Sequence, residues 1–334
     1  MTQKHILIIG GTGIIGKAII EEALKISANL TVFGLSQDTS ISKKVLQIVV
    51  DRKNKKEFEV AASQIGMVDI LVDVADFDRT DAQQTYFCFK EKAKHFFIIS
   101  TTLVYDRTEP FDTPLRGSHR LAEKGTLGGY VNKKLDIEHF WSSIKEVHWT
   151  ILRPYHIISP HDSLLGCIPD HNRDPQLFDK IKRGVPLVLC DAGRVWLNFI
   201  DARDLARIIL KAAGNKKTFS KAYNTVNPQK IMAKNYYKII AQELGVQVSI
   251  QNKSLKEIWT ENKGWQLTTL PHLYDVSDLK KDIGFVPNTS LKQSLKEAIA
   301  LYCPTKKPVS EIPVHQRMTL LPKPKPIMWL IRKK

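Results

Sequence analysis

A tyrosine and a lysine four residues apart, Tyr130 and Lys134, are the pair in this chain whose types and spacing best fit acid–base chemistry. On a helix, residues at this spacing lie on one face, a single turn apart. A tyrosine ionises at about pH 10 in water, and a neighbouring ammonium group stabilises the phenolate. A phenolate can exchange a proton with a substrate hydroxyl or carbonyl during hydride transfer. The spacing also occurs by chance on exposed helices, so the prediction needs a site for a hydride carrier beside the pair.

A glycine-rich turn near the start of the chain predicts such a site. The apolar run 5–9 is typical of a buried parallel strand, and it leads directly into Gly10-Gly11-Thr12-Gly13-Ile14-Ile15-Gly16. Apolar residues at helical spacing follow, so the free N–H groups of a helix would point at the turn. Strand, glycine turn and helix in this order are typical of a pyrophosphate site for a dinucleotide. The candidate ligands in this turn are Gly10, Thr12, Gly13, Ile14, Ile15 and Gly16.

The rest of the first half supplies the elements that would position these groups. Apolar runs predict five further strands, at 30–33, 45–50, 68–73, 96–99 and 149–152. Helical segments fit between them, and this alternation predicts an α/β fold with a doubly wound parallel sheet of Rossmann type. The second half is less regular. It predicts helices at 201–213 and 235–244, and a capping box of Ser290 and Gln293 before a last helix.

This pattern predicts three regions along the chain. Residues 1–155 form the dinucleotide-binding domain, and residues 156–300 form a smaller, partly interleaved substrate region. Within the latter, residues 195–225 are expected to return to the Rossmann core. Residues 301–334 form a basic tail whose repeated prolines block helix and central strand.

Hydroxyl side chains follow the predicted strand 96–99. Ser100, Thr101 and Thr102 stand at its end, and ligands of open parallel sheets bind beyond the carboxyl ends of the strands. A hydroxyl there could bond the reacting oxygen of a substrate. The alternative is a strand end that is simply rich in β-branched residues.

Taken together, these blocks resemble the extended branch of the short-chain dehydrogenase/reductase superfamily, the NAD-dependent epimerase/dehydratase family, over about residues 4–300. The glycine turn is similar to the family's TGxxGxxG motif, and Tyr130 and Lys134 match its catalytic pair. Four other blocks are similar to family segments: 100–105 to Ser-Ser-x-x-Val-Tyr, 152–154 to Leu-Arg-Pro, 199–206 to the late strand-to-helix segment, and 278–287 to the closing Leu-Gly-x-x-Pro.

The resemblance implies an enzyme that uses NAD or NADP to oxidise, reduce, epimerise or dehydrate a small molecule, such as a sugar nucleotide or a secondary metabolite. Tyr130 would be the acid/base, Lys134 would tune it and hold the nicotinamide ribose, and Thr101 would orient the reacting oxygen. Further cofactor contacts implied by the resemblance are Ser36, Asp51, Ala75, Ser100, Lys134 and Pro154. Relatives often form dimers through the helix that bears the tyrosine, so a homodimer is expected.

Two departures from the family pattern bear on specificity. NAD-preferring members carry an acid at the end of the second strand, and here Gly34 takes that position. The arginine usual in NADP binders is also missing, with Gln37 nearby, and the loss of the acid favours NADP. Sugar-nucleotide members often carry an arginine where this chain has Leu197, although Arg194 lies close by.

A third departure supports an alternative function. Residues 71–76 replace the usual small-residue loop and resemble an atypical branch that includes the chloroplast stem-loop-binding proteins, some of which bind RNA. The net charge of +16 fits a polyanionic partner, or a lysine-rich solvated surface. The alternative is therefore an RNA-binding protein on this fold. Against it, the chain shows no RNA-recognition motif with interleaved aromatic residues.

Composition narrows the remaining classes. The cysteines lack paired spacing, which predicts reduced thiols in a cytoplasmic protein without a metal site: Cys88, Cys167, Cys190 and Cys303. No signal-peptide pattern is recognised, and no apolar run approaches the roughly 20 residues that span a bilayer. The tail has eight basic residues against Glu311. It could contact anionic lipid, pack on a partner subunit or remain disordered.

Overall fold

The protein is represented by a computed structural model that describes residues 3–106, 114–125, 128–160, 176–262 and 271–302. The basic tail beyond residue 302 therefore lies outside the described residues. The strands are β1 (His5–Ile9), β2 (Asn29–Gly34), β3 (Val45–Val49), β4 (Ile70–Asp73), β5 (Phe96–Ile99), β6 (Trp149–Pro154), β7 (Ile157–Ile158), β8 (Leu187–Cys190), β9 (Trp196–Asp201), β10 (Lys221–Thr225), β11 (Asn227–Met232) and β12 (Ile250–Lys253). The α-helices are α1 (Ile14–Lys25), α2 (Lys55–Ser63), α3 (Arg79–Phe89), α4 (Gly129–Ser143), α5 (Leu177–Lys182), α6 (Ala202–Ala212), α7 (Ala233–Glu243), α8 (Leu255–Asn262), α9 (Ser277–Ile283) and α10 (Leu291–Tyr302).

The largest sheet has seven parallel strands in the order β10-β6-β5-β4-β1-β2-β3. The chain starts at β1 in the middle, runs outward to β3, and then crosses back to β4 on the other side of β1. Loops that leave β1 and β4 therefore diverge, and such a switch point is where open α/β sheets bind ligands. The predicted α/β fold with a doubly wound parallel sheet is confirmed.

Both faces of this sheet are covered, which explains why its strands read as continuous apolar runs. Along β1, Ile6 and Ile8 pack into the layer formed with α1 and α6, whereas Leu7 and Ile9 pack into the layer with α2, α3 and α4. Successive side chains of a strand point to opposite faces, so a single strand contributes to both cores. The central strands are thereby fixed between two helical layers.

The later part of the chain builds a separate core beside the sheet. Phe178 of α5, Phe199 of β9, Tyr237 of α7 and Leu295 of α10 are buried together. Three strands in the order β11-β9-β7 and the pair β12-β8 frame this core. Within the described ranges, every helix is too short or too polar to traverse a bilayer.

The segment 195–225 is divided between the two cores. Helix α6 packs on α1, and β10 extends the seven-stranded sheet beside β6. Strand β9 instead pairs with β7 and β11, because Ile200 and Asp201 lie opposite Ile157 and Ile158. Asp201 then ends the strand and caps α6 by accepting a bond from the Arg203 N–H at 2.8 Å. The chain thus returns to the large sheet only after β9.

The predicted capping box before α10 forms only in part. The Gln293 N–H donates to Ser290 Oγ at 3.2 Å, as in the first half of such a box. The Gln293 side chain instead donates to Glu297 one turn further on, at 3.0 Å. A carboxylate partner on the same helix face therefore replaces the reciprocal bond to the cap.

Candidate active site

The glycine turn is held against the end of β2. The N–H groups of Gly10 and Gly11 both donate to the Phe33 carbonyl, at 2.9 and 3.3 Å. Gly10 has a φ of +85°, a conformation that side chains other than glycine rarely adopt. A Cβ at Gly10 would also lie 2.8 Å from the Cβ of Ala75. The turn is therefore packed tightly against the loop that follows β4.

The start of α1 is open to an anionic ligand. Gly13 is the N-cap, it is exposed, and no side chain bonds the first-turn N–H groups of the helix. Those groups, which include the N–H of Ile14 and Ile15, have no acceptor within the helix. Together with the positive end of the helix dipole they favour a phosphate group. Because Gly13 has no side chain, it also leaves space for a diphosphate.

Two glycines of the turn have different steric roles, which leads to a matched prediction. A Cβ at Gly16 would lie 2.4 Å from the backbone of Gly11, whereas a Cβ at Gly13 would find its nearest atom at 3.7 Å. We expect Gly16→Ala to push the turn apart and destabilise the free protein by about 1–3 kcal/mol, the typical cost of overpacking. Thermal unfolding of both variants checks this, and an equal loss in Gly13→Ala would contradict the steric argument.

The opposite end of the expected dinucleotide site lies beyond β2. An added Cβ at Gly34 would lie 3.1 Å from Thr12 Cγ2, so this corner has little room for a larger residue without a shift of Thr12. Ser36 is exposed in the loop that follows. Asp51 is also exposed, and its carboxylate accepts a bond from the Lys53 N–H at 2.9 Å. Both predicted contacts are thus accessible.

An ion pair borders this corner. Lys17 of α1 lies 2.7 Å from the Asp38 carboxylate and also donates to Ser40 Oγ at 3.2 Å. Burial raises the pKa of Asp38, but the bonds from Lys17 and Ser40 outweigh it and lower that pKa to about 2. Lys17 is therefore held by an ionised Asp38, and the pair adds no net charge to this corner. No feature of the isolated sequence pointed to this pair.

Lys134 joins the loop after β4 to the end of β5, on one side of the switch point. It is buried, and its ammonium donates to the carbonyl of Asp76 at 2.6 Å and to the carbonyl of Ile99 at 2.8 Å. These carbonyls belong to the loop after β4 and to the end of β5. Tyr130 lies one turn earlier on α4, is half-buried, and makes no hydrogen bond to the described residues. The predicted catalytic pair thus lies on one face of α4, with the lysine anchored and the phenol unpaired.

The hydroxyl groups after β5 differ in their partners. Thr101 has an extended backbone, and its Oγ1 accepts a bond from the Leu103 N–H at 3.3 Å. Its hydroxyl hydrogen remains available to another acceptor. Ser100 instead donates its hydroxyl to Glu138 of α4. A cofactor contact of Ser100 would therefore be made by its backbone, and the orienting hydroxyl predicted at Thr101 is compatible with the structure.

Ser100 belongs to a buried polar network that sequence reasoning missed. Glu138 pairs with Arg153 of β6 at 2.6 Å, and Arg153 donates to the Tyr105 hydroxyl at 3.0 Å. The Tyr105 hydroxyl donates to Asn224 of β10 at 2.5 Å. Burial raises the pKa of Tyr105 to about 12, although Arg153 acts in the opposite direction. The network joins α4, β5, β6 and β10 directly behind the candidate catalytic groups. Pro154 lies buried at the end of β6.

A second buried network lies under the loop after β4. Arg52 donates to the Asp73 carboxylate at 2.9 Å, to the Ala75 carbonyl at 2.8 Å and to the Asp81 carbonyl at 2.7 Å. Thr85 accepts from Arg52 and donates to Asp73 at 2.6 Å. This arginine fixes the loop that touches both the glycine turn and Lys134. The sequence carries a signal for this network. Arg52 and Asp73 are charged residues at or just after the ends of two predicted strands, and such ends meet at one edge of a parallel sheet.

The sequence matches the NAD dependent epimerase/dehydratase family over residues 6–225, well over half of the chain. The chain belongs to this family. A comparison with curated proteins finds no match. The family assignment agrees with the resemblance that the motifs predicted, and the seven-stranded sheet is the fold that it requires.

Solved structures of epimerases and dehydratases have the same fold. An epimerase from Methanothermobacter thermautotrophicus is 14% identical, with a TM-score of 0.72 over 90% of this chain and 93% of that one. UDP-glucose 4-epimerase from Thermotoga maritima, solved with UDP-glucose, is 15% identical, with a TM-score of 0.71 over 91% and 100%. The dTDP-glucose 4,6-dehydratase from Bacillus anthracis, in complex with NAD, is 16% identical, with a TM-score of 0.71 over 91% and 97%.

The described residues fit the cofactor of an epimerase/dehydratase in three ways. The first turn of α1 lacks a cap, the glycine turn leaves no space for side chains at Gly10 and Gly16, and Lys134 stands between the strand ends. All three features lie at the carboxyl edge of the sheet, at the switch point. The described residues contain no cluster of His, Cys, Asp or Glu side chains suited to a metal ion.

The family's sugar-nucleotide arginine has no direct replacement. Leu197 is buried in β9 opposite Ile231, so its side chain belongs to the second core. Arg194 is exposed and pairs with Asp191 at 2.5 Å. Residues 161–175, part of the predicted substrate region, lie outside the described residues. Position 197 therefore supplies no cation to a substrate.

A basic cavity of about 540 Å³ lies at the opposite, amino-terminal edge of the large sheet. Its lysine lining residues are Lys4, Lys90, Lys94 and Lys216, and His148 also lines it. Of its two acids, Asp69 pairs with Lys94 at 2.8 Å and Glu146 accepts a bond from Tyr86. His148 stacks on Phe219 with ring centroids 3.9 Å apart. This cavity is separate from the candidate active site.

Proposed function

We propose that the protein is an NAD(P)-dependent epimerase, dehydratase or oxidoreductase that acts on a hydroxyl or carbonyl group of a small molecule. The observation that carries the proposal is the position of Lys134. Its ammonium is fixed by carbonyls at the ends of β4 and β5, beside the loop that packs on the glycine turn, and Tyr130 lies one turn away. Dinucleotide-binding and acid–base elements thus share one sheet edge.

The proposed roles follow from the environment of each group. The bound dinucleotide would supply hydride transfer. The first-turn N–H groups of α1 would bind its pyrophosphate, and Lys134 retains a third N–H for a ribose hydroxyl. Tyr130, unpaired among the described residues, would take or give the proton of the substrate hydroxyl. Thr101 would orient that oxygen with its free hydroxyl hydrogen.

A sugar nucleotide is the proposed substrate class. Support comes from solved structures of similar fold that bind UDP-glucose or NAD with UDP. The cation near the late strand is Arg194, whereas position 197 carries none. Recognition of the diphosphate would therefore differ in detail from that by family members with an arginine at the latter position. The hydride chemistry is compatible with epimerisation, dehydration or simple oxidation, depending on where the hydride returns.

Nicotinamide fluorescence tests this function directly. We expect the full chain to bind NADH or NADPH with a saturable change in fluorescence, and added UDP-sugars to be converted with NAD or NADP present. RNA filter binding at two salt concentrations provides the contrasting experiment, because phosphate contacts weaken steeply with salt. Saturable, salt-sensitive RNA binding without any nicotinamide response would favour the basic cavity at the amino edge as the functional surface.

Cofactor preference yields a further prediction. Gly34 leaves out the acid that would repel a 2′-phosphate, so we propose NADP as the preferred cofactor. We expect Gly34→Asp to weaken NADPH binding by about tenfold or more through like-charge repulsion, and to weaken NADH much less. Parallel titrations of the two cofactors measure this, with Gly34→Asn as the uncharged control for crowding against Thr12. An equal effect of both variants would argue that only space matters.

A further inference from the structure

Asp76 is an unusual residue for the loop in which it lies. It stands between Ala75, which packs on the glycine turn, and the helix that carries Lys134, and it is 1% exposed. Its backbone carbonyl accepts the bond from Lys134 at 2.6 Å. Its two carboxyl oxygens, in contrast, are buried and have no hydrogen-bond partner among the described residues. The main chain of Asp76 thus accepts a hydrogen bond from Lys134, while its own carboxyl group lies beside that lysine without a donor.

An ionised carboxylate in this position would be very costly. Burial of a charge without donors is strongly unfavourable, so such a group takes up a proton instead. Charged groups face Asp76 from every neighbouring element: Asp73 at the end of β4, Arg52 after β3, Asp81 on α3 and Lys134 on α4. Arg52 is engaged by Asp73, and Lys134 by two carbonyls, so neither donates to the Asp76 carboxyl.

The electrostatic balance agrees with this geometry. Burial, followed by the negative charge of Asp73, raises the pKa of Asp76 well above its usual value. The positive charges of Lys134 and Arg52 lower that pKa, and Asp81 raises it again. Any positive charge or hydrogen-bond donor brought to this place would therefore shift the balance toward the carboxylate.

We propose that Asp76 is a proton-linked positioning residue of the cofactor site, neutral in the free protein and ionised when an oxidised nicotinamide dinucleotide is bound. The proposal rests on the function proposed above. The carboxyl O–H bond breaks, the proton passes to the solvent, and the carboxylate balances the positive charge of the oxidised ring. A reduced cofactor carries no positive charge on its ring, so it leaves Asp76 protonated.

Calorimetric titration in buffers of different ionisation enthalpy tests the proposal. The nucleotide-free full chain is titrated with NADP⁺ and NADPH, and with NAD⁺ and NADH, at a series of pH values from mildly acidic to mildly alkaline. We expect the oxidised form to release up to one proton per site and the reduced form to release much less. Asp76→Asn, which is permanently neutral, should bind the oxidised form more weakly and release no proton.

Two controls identify the source of the proton. Tyr130→Phe should retain the release, because the proton comes from Asp76 and not from the phenol. Asp76→Ala, with a small residue as in related loops, repeats the test if the asparagine variant folds poorly. Unchanged proton release in both Asp76 variants, or saturable binding by the wild type with no release at any pH, would overturn the proposal. Absence of dinucleotide binding altogether would instead contradict the proposed function.

A measurement without cofactor provides an independent readout. The folded pKa of Asp76 is raised above its unfolded value, so its contribution to stability is fully present below the unfolded pKa and is lost as the pH rises through the folded one. We therefore expect Asp76→Asn to gain thermal stability relative to the wild type as the pH increases. A difference in melting temperature that is independent of pH would show that Asp76 is already ionised in the free protein, as it is in the unfolded chain, and would contradict the proposal.

Discussion

Replacement of Tyr130 by phenylalanine is expected to lower the turnover of the wild-type substrate by about 10²–10⁴-fold, the usual contribution of a positioned acid/base. The phenol is half-buried and has no hydrogen-bond partner among the described residues, so its removal breaks no structural contact. Stability and nicotinamide binding should therefore stay close to those of the wild type. Steady-state conversion of the proposed sugar-nucleotide substrate, together with NADPH titration, measures both effects.

Lys134→Met is the informative comparison for this variant. The lysine is buried and satisfies the carbonyls of Asp76 and Ile99, which its removal would leave without a donor. A buried unsatisfied polar group costs about 1–3 kcal/mol, so this variant should lose stability and cofactor affinity as well as turnover. If Tyr130→Phe instead retained full turnover, or lost cofactor binding to the same extent as Lys134→Met, its role as acid/base would be rejected.

Replacement of Arg153 by methionine is expected to destabilise the protein by about 3–5 kcal/mol, the usual effect of removing one partner of a buried ion pair. The side chains of Arg153 and Glu138 are 6% and 1% exposed, so Glu138 would keep an uncompensated charge. Tyr105 would also lose a donor to its hydroxyl. Urea unfolding of the variant measures the loss through the shift in midpoint.

Two further variants test the cause of that loss. Arg194 forms an exposed pair with Asp191, so Arg194→Met should change stability little. The double variant Glu138→Gln/Arg153→Met removes the stranded charge, and it should recover part of the stability that Arg153→Met loses. Equal destabilisation by the single and the double variant would show that lost packing, rather than the unpaired carboxylate, is the main cause.

Much of the fold was predictable because its signals are local. The runs that became β1 and β5 each contain four consecutive apolar residues, since a strand covered on both faces needs no polar positions. The glycine turn was equally predictable, because a Cβ at Gly16 would lie 2.4 Å from the backbone of Gly11, so the packing requires glycine there. Strand β9 was assigned to the Rossmann core by position along the chain, yet it pairs with β7 and β11, which only the register reveals.

The site was predictable in its positions but less so in its contacts. The pattern placed Lys134 at the sheet edge, and the structure brings it there between the carbonyls of two strand ends. The same pattern offered Ser100 as a cofactor ligand, whereas its hydroxyl is donated to Glu138, 38 residues further along the chain. A motif states which residue type stands at a strand end. It does not show which distant side chain forms a hydrogen bond with that residue in the folded protein.

The amino-acid sequence by itself determined a doubly wound parallel sheet, a glycine turn at its centre and a tyrosine–lysine pair on one helix face. These depend on periodicity, chain direction and backbone freedom within short segments. Only the tertiary structure shows that Asp76 is buried beside Lys134. It also shows that Arg153 and Glu138 form a buried ion pair close to the site. Burial and charge pairing are sums over groups from separate elements, so no single stretch of sequence contains them.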